Sequence, residues 1–295
     1  MTLCRYLVIW AVVSLILYGQ TATAQEKIHF ASLDRDASGR PVILDGYLFK
    51  PESSDATGPH PAVVFMHGCG GLLNRSGEIL SRESDWAHRL IQQGYVVLAV
   101  DSFTTRGQSS ECAHGGAVRP QVERPLDAYG ALRFLQTQTD VKPDRIAVIG
   151  WSHGGGTVLF AIGPQGPAQE ESSTASDFRA AIAFYPGWCN IGAQGGAGWH
   201  TAIPLLVLIG ESDVWTRAQP CEDFVQAVRT QGMPVAIHVY PEAYHDFDFP
   251  DLPVRSRPEF ANSRNHVLPI TGTNPAARAD AIERVTAYLA DYLKN

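Results

Sequence analysis

Arg145 to Thr157, reading RIAVIGWSHGGGT, decides how this chain folds. Its first half, Ile146 to Ile149, is a short apolar run rich in β-branched residues, long enough for a buried strand and too short for a helix. The run stops at Gly150, where Gly150-Trp151-Ser152-His153-Gly154 spells G-x-S-x-G, and an apolar segment with helical potential, Thr157 to Ile162, follows. Strand, sharp turn and helix is the context in which this pentapeptide presents a nucleophilic serine. The flanking glycines are needed because a Cβ at either position would strike the neighbouring strand or helix, while the serine itself takes strained dihedrals. A phosphate cradle is the competing reading. It lacks a Gly-Lys-Ser/Thr ending and does not fit G-x-G-x-x-G with an acidic residue on the next strand.

Outward from this stretch, continuous apolar runs recur at Ala62 to Met66, Val96 to Val100, Ala180 to Phe184, Leu205 to Ile209 and Val235 to Tyr240. Helical spacing separates several of them, at about Ser84 to Gln92, Arg124 to Thr137 and Cys221 to Thr230, and a last amphipathic helix runs from Asn274-Pro275 to Leu293. Ahead of these lie two extended segments, Ile28 to Ser32 and Val42 to Phe49, around a turn rich in Asp, Ser, Gly and Pro, which is a hairpin signal. Continuous strands alternating with helices imply an α/β fold, with a mostly parallel central sheet covered by helices on both faces behind an N-terminal antiparallel hairpin. In such sheets the ligand site forms beyond the carboxyl ends of the strands. The serine turn, the turn His67-Gly68-Cys69-Gly70-Gly71 and Asp101 all fall at that edge.

A serine hydroxyl needs a base to take its proton and a third group to orient the base. In this topology the acid and then the histidine follow the serine, each just past a later strand. Leu205 to Ile209 leads into Gly210-Glu211-Ser212-Asp213, and Val235 to Tyr240 leads into Pro241-Glu242-Ala243-Tyr244-His245. Ser152, Asp213 and His245 are therefore the candidate catalytic residues. Asp213 is preferred over Glu211, which sits too near the strand end to reach the far imidazole nitrogen. The oxyanion donors are expected to be the amide of His153 and, from the glycine turn, that of Cys69, with Gly70 in reserve. No metal site and no cofactor is expected.

Composition narrows the class. The 295 residues carry a net charge of −7 and no Lys/Arg cluster, which argues against nucleic acid or an anionic membrane as partner. Residues 1–24 read as a signal peptide: Arg5 supplies a positive start, Tyr6 to Leu17 is almost wholly apolar, and Ala22-Thr23-Ala24 is a cleavage site, leaving residues 25–295 as one exported domain, periplasmic or secreted. Export leaves four cysteines in an oxidising compartment without C-x-x-C spacing, and three pairings are possible. Loops at one edge of the sheet favour Cys69 with Cys112 and Cys189 with Cys221.

With these residues assembled, the chain from about Asp45 to Leu293 resembles the dienelactone hydrolase family of α/β-hydrolases. The resemblance rests on VVFMHGCGG, AVDSFTTRG, the helix holding Asp127-Ala128, GWSHGG, GESD and YPEAYHDFD. It implies the α/β-hydrolase fold and acyl chemistry. The enzyme that names the family uses a cysteine where this chain has Ser152, so lactone specificity does not follow. Arg106 is a candidate partner for a substrate carboxylate, as arginines are in dienelactone hydrolase, and Trp151 and Trp188 are candidates to line an apolar cleft. The sequence thus reads as an exported serine hydrolase that cleaves carboxylic esters or lactones, small or polymer-borne, through an acyl-enzyme. A prolyl-oligopeptidase-like peptidase and a catalytically silent binding scaffold are the alternatives.

Overall fold

A computed structural model describes residues 25–51, 58–112, 116–167, 176–261 and 267–295. The signal-peptide reading of residues 1–24 lies outside them. The serine strand, β5 (Val141–Trp151), sits inside an eight-stranded sheet built from β1 (Glu26–Arg35), β2 (Pro41–Phe49), β3 (His60–Met66), β4 (Val96–Asp101), β5, β6 (Ala180–Phe184), β7 (Leu205–Gly210) and β8 (Val235–Tyr240), in the spatial order β1-β2-β4-β3-β5-β6-β7-β8. The pairs β1·β2 and β2·β4 are antiparallel, and the remaining five are parallel. Strands β3, β4, β6 and β7 are buried along nearly their whole length, which is why they read as unbroken apolar runs.

The helices cover both faces. On one, α2 (Glu123–Gln136) packs on α3 (His153–Ile162), and α4 (Ala218–Arg229) joins them through Trp199, whose indole donates to Leu159 O at 3.4 Å and packs edge-on against Phe224 at 5.1 Å. On the other, α1 (Ser81–Gln92) and α5 (Pro275–Leu293) are tied by Arg278 to Asp85 at 2.6 Å and Gln93 to Thr286 at 3.3 Å. Asn274 caps α5, accepting from Ala277 N at 3.1 Å just ahead of Pro275.

Three elements depart from the sequence reading. β5 begins at Val141, five residues early: Val141 pairs with His60, and the polar Lys142 to Arg145 interrupt both the apolar run and the ladder before Ile146 pairs with Ala62. α3 begins directly at His153, its first turn disguised by Gly154-Gly155-Gly156. A ribbon of β9 (Arg255–Ser256) and β10 (Ile270–Thr271), unforeseen in the sequence, leans on the histidine loop: His245 bridges to Thr271, and Gly272 N donates to His245 O at 3.0 Å. Two residues per strand leave no periodicity to detect.

The parallel registers level the strand ends. Met66 faces Gly150, Trp151 faces Phe184, and Gly210 faces Tyr240. The loops carrying Cys69, Ser152, Asp213 and His245 consequently leave the sheet along one edge.

Candidate active site

Ser152 takes φ 53° and ψ −109°, outside the regions open to ordinary residues. Such a conformation costs about 1–2 kcal/mol, and the surrounding backbone holds it in place. Ser152 N donates to Phe184 O, and Ser152 O accepts from Gly156 N and Gly187 N, all at 2.9 Å. The flanking glycines are obligatory: a Cβ on Gly150 would lie 2.2 Å from Gly154 O, and one on Gly154 would lie 1.9 Å from Met66 O. The turn leaves Ser152 at a pocket of about 830 Å³. Its Oγ has no hydrogen-bond partner among the described residues.

Asp213 and His245 meet as a buried pair, His245 Nδ1 standing 2.7 Å from Asp213 Oδ2. Asp213 also accepts from Trp215 N at 2.8 Å, Thr216 N at 3.0 Å and Thr216 Oγ1 at 2.8 Å. Burial alone would raise the Asp213 carboxyl. The His245 charge and these hydrogen bonds outweigh it and hold the group below its ordinary value. The reciprocal holds for His245: burial works against its imidazolium, but Asp213, by charge and hydrogen bond, with Asp246 adding and Arg82 opposing, raises it above 6.5. Nδ1–H donates to the carboxylate, so Nε2 is the free nitrogen. The ring lies between Tyr185 and Trp215, centroids 4.5 and 4.9 Å away.

His153 follows the serine, yet its side chain turns beneath the site. Arg124 Nη1 donates to His153 Nδ1 at 2.7 Å, and since a guanidinium only donates, Nδ1 is the acceptor and the ring is neutral. Burial, Arg124 and His67 together push it down to about 2. His67 is treated alike: Nε2 accepts from Ser102 N at 3.3 Å, its Nδ1 bonds Gly68 O at 2.7 Å, and burial with Arg124 lowers it well below 6.5. Arg124 itself is pushed down to about 9 by burial.

Cys69 lines the pocket beside Ser152, its carbonyl accepting from Glu111 N at 2.7 Å. The Cys69–Cys112 bridge, Cα atoms 4.8 Å apart, clasps this loop, and Cys189–Cys221, at 4.7 Å, clasps the loop after β6 to α4. Cys69, Cys112 and Cys189 all face the pocket. Trp188 stands at its wall, 42% exposed, at φ 58°, with its ring edge-on to His153 at 5.3 Å. Glu211 is exposed and accepts weakly from Glu242 N at 3.4 Å.

Two expectations are corrected. Arg106 does not face the pocket; its guanidinium binds Asp34 at 2.8 Å, both Asp127 oxygens at 2.9 and 2.8 Å, and Ser102 O at 2.8 Å, which fastens the hairpin to α2. Trp151 is fully buried and does not line the pocket, its indole donating to Asp248 Oδ2 at 2.8 Å. Thr216, Trp215, Arg82 and Tyr185 went unnoticed in the sequence. The run Val214-Trp215-Thr216 directly after the acid is a local signal for Trp215 and Thr216 alone. Among the described residues, no three His, Cys, Asp or Glu side chains are grouped so as to hold a metal ion.

A Bacillus subtilis protein, YtaP, named as a hydrolase, is 34% identical over 122 residues, 37% of this chain and 40% of its own length, so the chain spans about two fifths of that relative. Among solved structures, one from Klebsiella pneumoniae described as a dienelactone hydrolase superposes with TM-score 0.61 at 20% identity, covering 90% of this chain and 100% of the other. Esterase 2 of Thermogutta terrifontis, phosphoramylated by tabun, gives 0.60 at 18% identity, covering 90% and 94%. At these identities the structural likeness is one of fold. The model of the dienelactone hydrolase family matches residues 44–293, nearly all of the sheet and its helices, and the chain belongs to that family.

Proposed function

We propose that this hydrolase cleaves carboxylic esters or lactones through an acyl-enzyme formed on Ser152. His245 Nε2 takes the proton as Ser152 Oγ attacks the carbonyl carbon, and returns it to the departing alcohol; water then repeats the sequence on the acyl-enzyme and frees the acid. Asp213 orients His245 and stabilises its imidazolium. The amides of Cys69 and His153 receive the developing oxyanion. A hydrogen bond from Ser152 Oγ to His245 Nε2 forms when substrate is bound.

The observation that carries this reading is the buried 2.7 Å Asp213–His245 pair at the strand edge where the strained Ser152 turn opens into the pocket. Trp188, Trp215, Val214 and Val267 give part of that pocket an apolar wall, and Glu111, Asn190, Thr216 and Arg217 make the rest polar. The test is hydrolysis of p-nitrophenyl acetate and butyrate beside a peptide anilide. Ester turnover abolished by Ser152→Ala is expected. Cleavage of the anilide in preference would make the protein a peptidase, and turnover of neither would make it a silent scaffold.

The same reading includes export of residues 25–295 as one α/β-hydrolase domain after removal of residues 1–24. Two pocket-lining disulfides favour an oxidising compartment. Amino-terminal sequencing of protein from the periplasm or medium is expected to begin at Gln25; an intact Met1 on cytoplasmic protein would contradict it.

A further inference from the structure

One buried guanidinium binds the loops after β6 and β8, which flank the candidate site. Arg82, in the first turn of α1, is almost fully buried, and its Nη1 donates at 3.0 Å both to Tyr185 OH, after β6, and to Asp246 Oδ1, the residue following His245. Its Nη2 pairs with Glu83. The guanidinium carbon lies 5.1 Å from the ring of Trp151, the residue before Ser152, and 4.7 Å from that of Phe249, in the histidine loop. A methyl built on Gly68, in the glycine turn, would sit 3.6 Å from Arg82 Nη2 and 3.8 Å from Ser152 Cβ. Two of the backbone positions it holds, Tyr185 at φ 33° and Asp246 at φ 63°, have the left-handed conformation that L residues avoid.

We propose that Arg82 is a positioning residue of the hydrolytic site: by holding Asp246 and Tyr185 it sets the place of the His245 ring and keeps the Asp246 carboxylate from acting as a second counter-ion to the imidazolium. The proposal rests on His245 being the base. The groups that bear on His245 are Asp213 from the β7 loop, Asp246 from its own loop, Tyr185 from the β6 loop and Arg82 from α1, with Trp215 and Thr216 uncharged beside it. Asp213 and Asp246 favour the charged ring, and Arg82 disfavours it. A guanidinium tied to Asp246 therefore acts twice, on geometry and on basicity. A purely structural ion pair would act on neither the protonation of His245 nor the acid limb of the rate profile.

The test is the pH dependence of kcat/KM for p-nitrophenyl butyrate in wild type, Arg82→Met, Arg82→Lys and Asp246→Asn, each checked for folding by circular dichroism. Arg82→Met is expected to lose about 10- to 100-fold, chiefly in kcat, as a sub-ångström displacement of a base does. Its acid limb moves up by about half a pH unit or more, because an opposing cation is gone and Asp246 is freed. Arg82→Lys restores part of both. Asp246→Asn removes an anion from beside the ring and moves the limb down. Opposite displacements in the two folded variants support the proposal, and limbs coinciding with that of wild type overturn it, whatever the loss of rate. Should Arg82→Met not fold, Arg82→Lys and Asp246→Asn carry the same comparison, since each keeps a polar group in place. A wild type without esterase turnover and without modification at Ser152 overturns the ester-hydrolase reading and this proposal together; an active wild type with unmoved limbs overturns this proposal alone.

Discussion

Two buried histidines lie at the candidate site, and the protein treats them oppositely. His153, next to the serine in sequence, faces the buried cation Arg124 and is held neutral, down at about 2; His245, 93 positions away, faces the buried anion Asp213 and is raised. Both rings are buried, so the desolvation that opposes a charged imidazole acts on each. What separates them is the sign of the nearest partner. A guanidinium can only donate, so it consumes the His153 lone pair and leaves that ring nothing with which to accept a proton. A carboxylate accepts Nδ1–H and leaves Nε2 of His245 basic. On the proposed mechanism, nearness to Ser152 along the chain is no guide to which histidine is the base; the charge buried behind the ring is. Each side of the pocket also carries its own clasp, Cys69–Cys112 on the Arg124 side and Cys189–Cys221 on the Asp213 side.

The contrast breaks most visibly by deleting the rings. His245→Ala is expected to reduce kcat on an activated ester by about 10⁶-fold, the scale seen when a serine hydrolase loses its base, whereas His153→Gln, whose amide oxygen can still accept from the Arg124 guanidinium, is expected to cost less than about tenfold. Equal losses would erase the distinction. Asp213→Asn comes next, at about 10⁴-fold with the fold intact, because an amide no longer selects the Nδ1–H tautomer; Glu211→Gln, on an exposed side chain, leaves the rate within a factor of about two. If Glu211→Gln were the damaging change, the acid would be misassigned.

Two pH measurements sharpen the contrast. The acid limb of kcat/KM is expected above pH 6.5, since activity needs neutral His245 and its pKa is raised; a limb below 6.5 would contradict the pairing. Stability should move the other way for His153. Unfolded, it protonates near 6.5; folded, only at about 2, so the unfolded chain takes up an extra proton across that window and stability falls as pH drops from 6.5. His67, lowered from 6.5 for the same reasons, adds to the slope. Chemical denaturation from pH 7 to 4 is therefore expected to show a shallower loss in His153→Gln than in wild type, and parallel curves would refute the assignment.

How far the sequence carried the fold and the site follows from where the causes lie. Strands β3, β4, β6 and β7 are buried on both faces, so composition alone exposed them, and Gly150 and Gly154 marked the serine turn because a steric requirement there excludes every other residue. Order along the chain then singled out Asp213 and His245, whose side chains stand 2.7 Å apart. Trp151 was misjudged because side chains alternate across a strand: the residue before the serine points into the layer beneath, toward Asp248. Arg106 was misjudged because an arginine in a loop shows no preference between a substrate carboxylate and Asp127, which lies one helix away. Arg82 was invisible for a simpler reason. Its partners Tyr185 and Asp246 lie 103 and 164 positions off, and no local pattern reports contacts of that range.

Everything turns on whether Ser152 is an activated nucleophile, and reaction of the folded protein with a fluorophosphonate, read by mass spectrometry of its peptides, measures that directly. One adduct per chain on the peptide carrying Ser152 is expected, absent in Ser152→Ala and strongly slowed in His245→Ala but not in His153→Gln. A folded wild-type protein that takes up no adduct at Ser152, or one labelled equally fast without His245, would contradict the account.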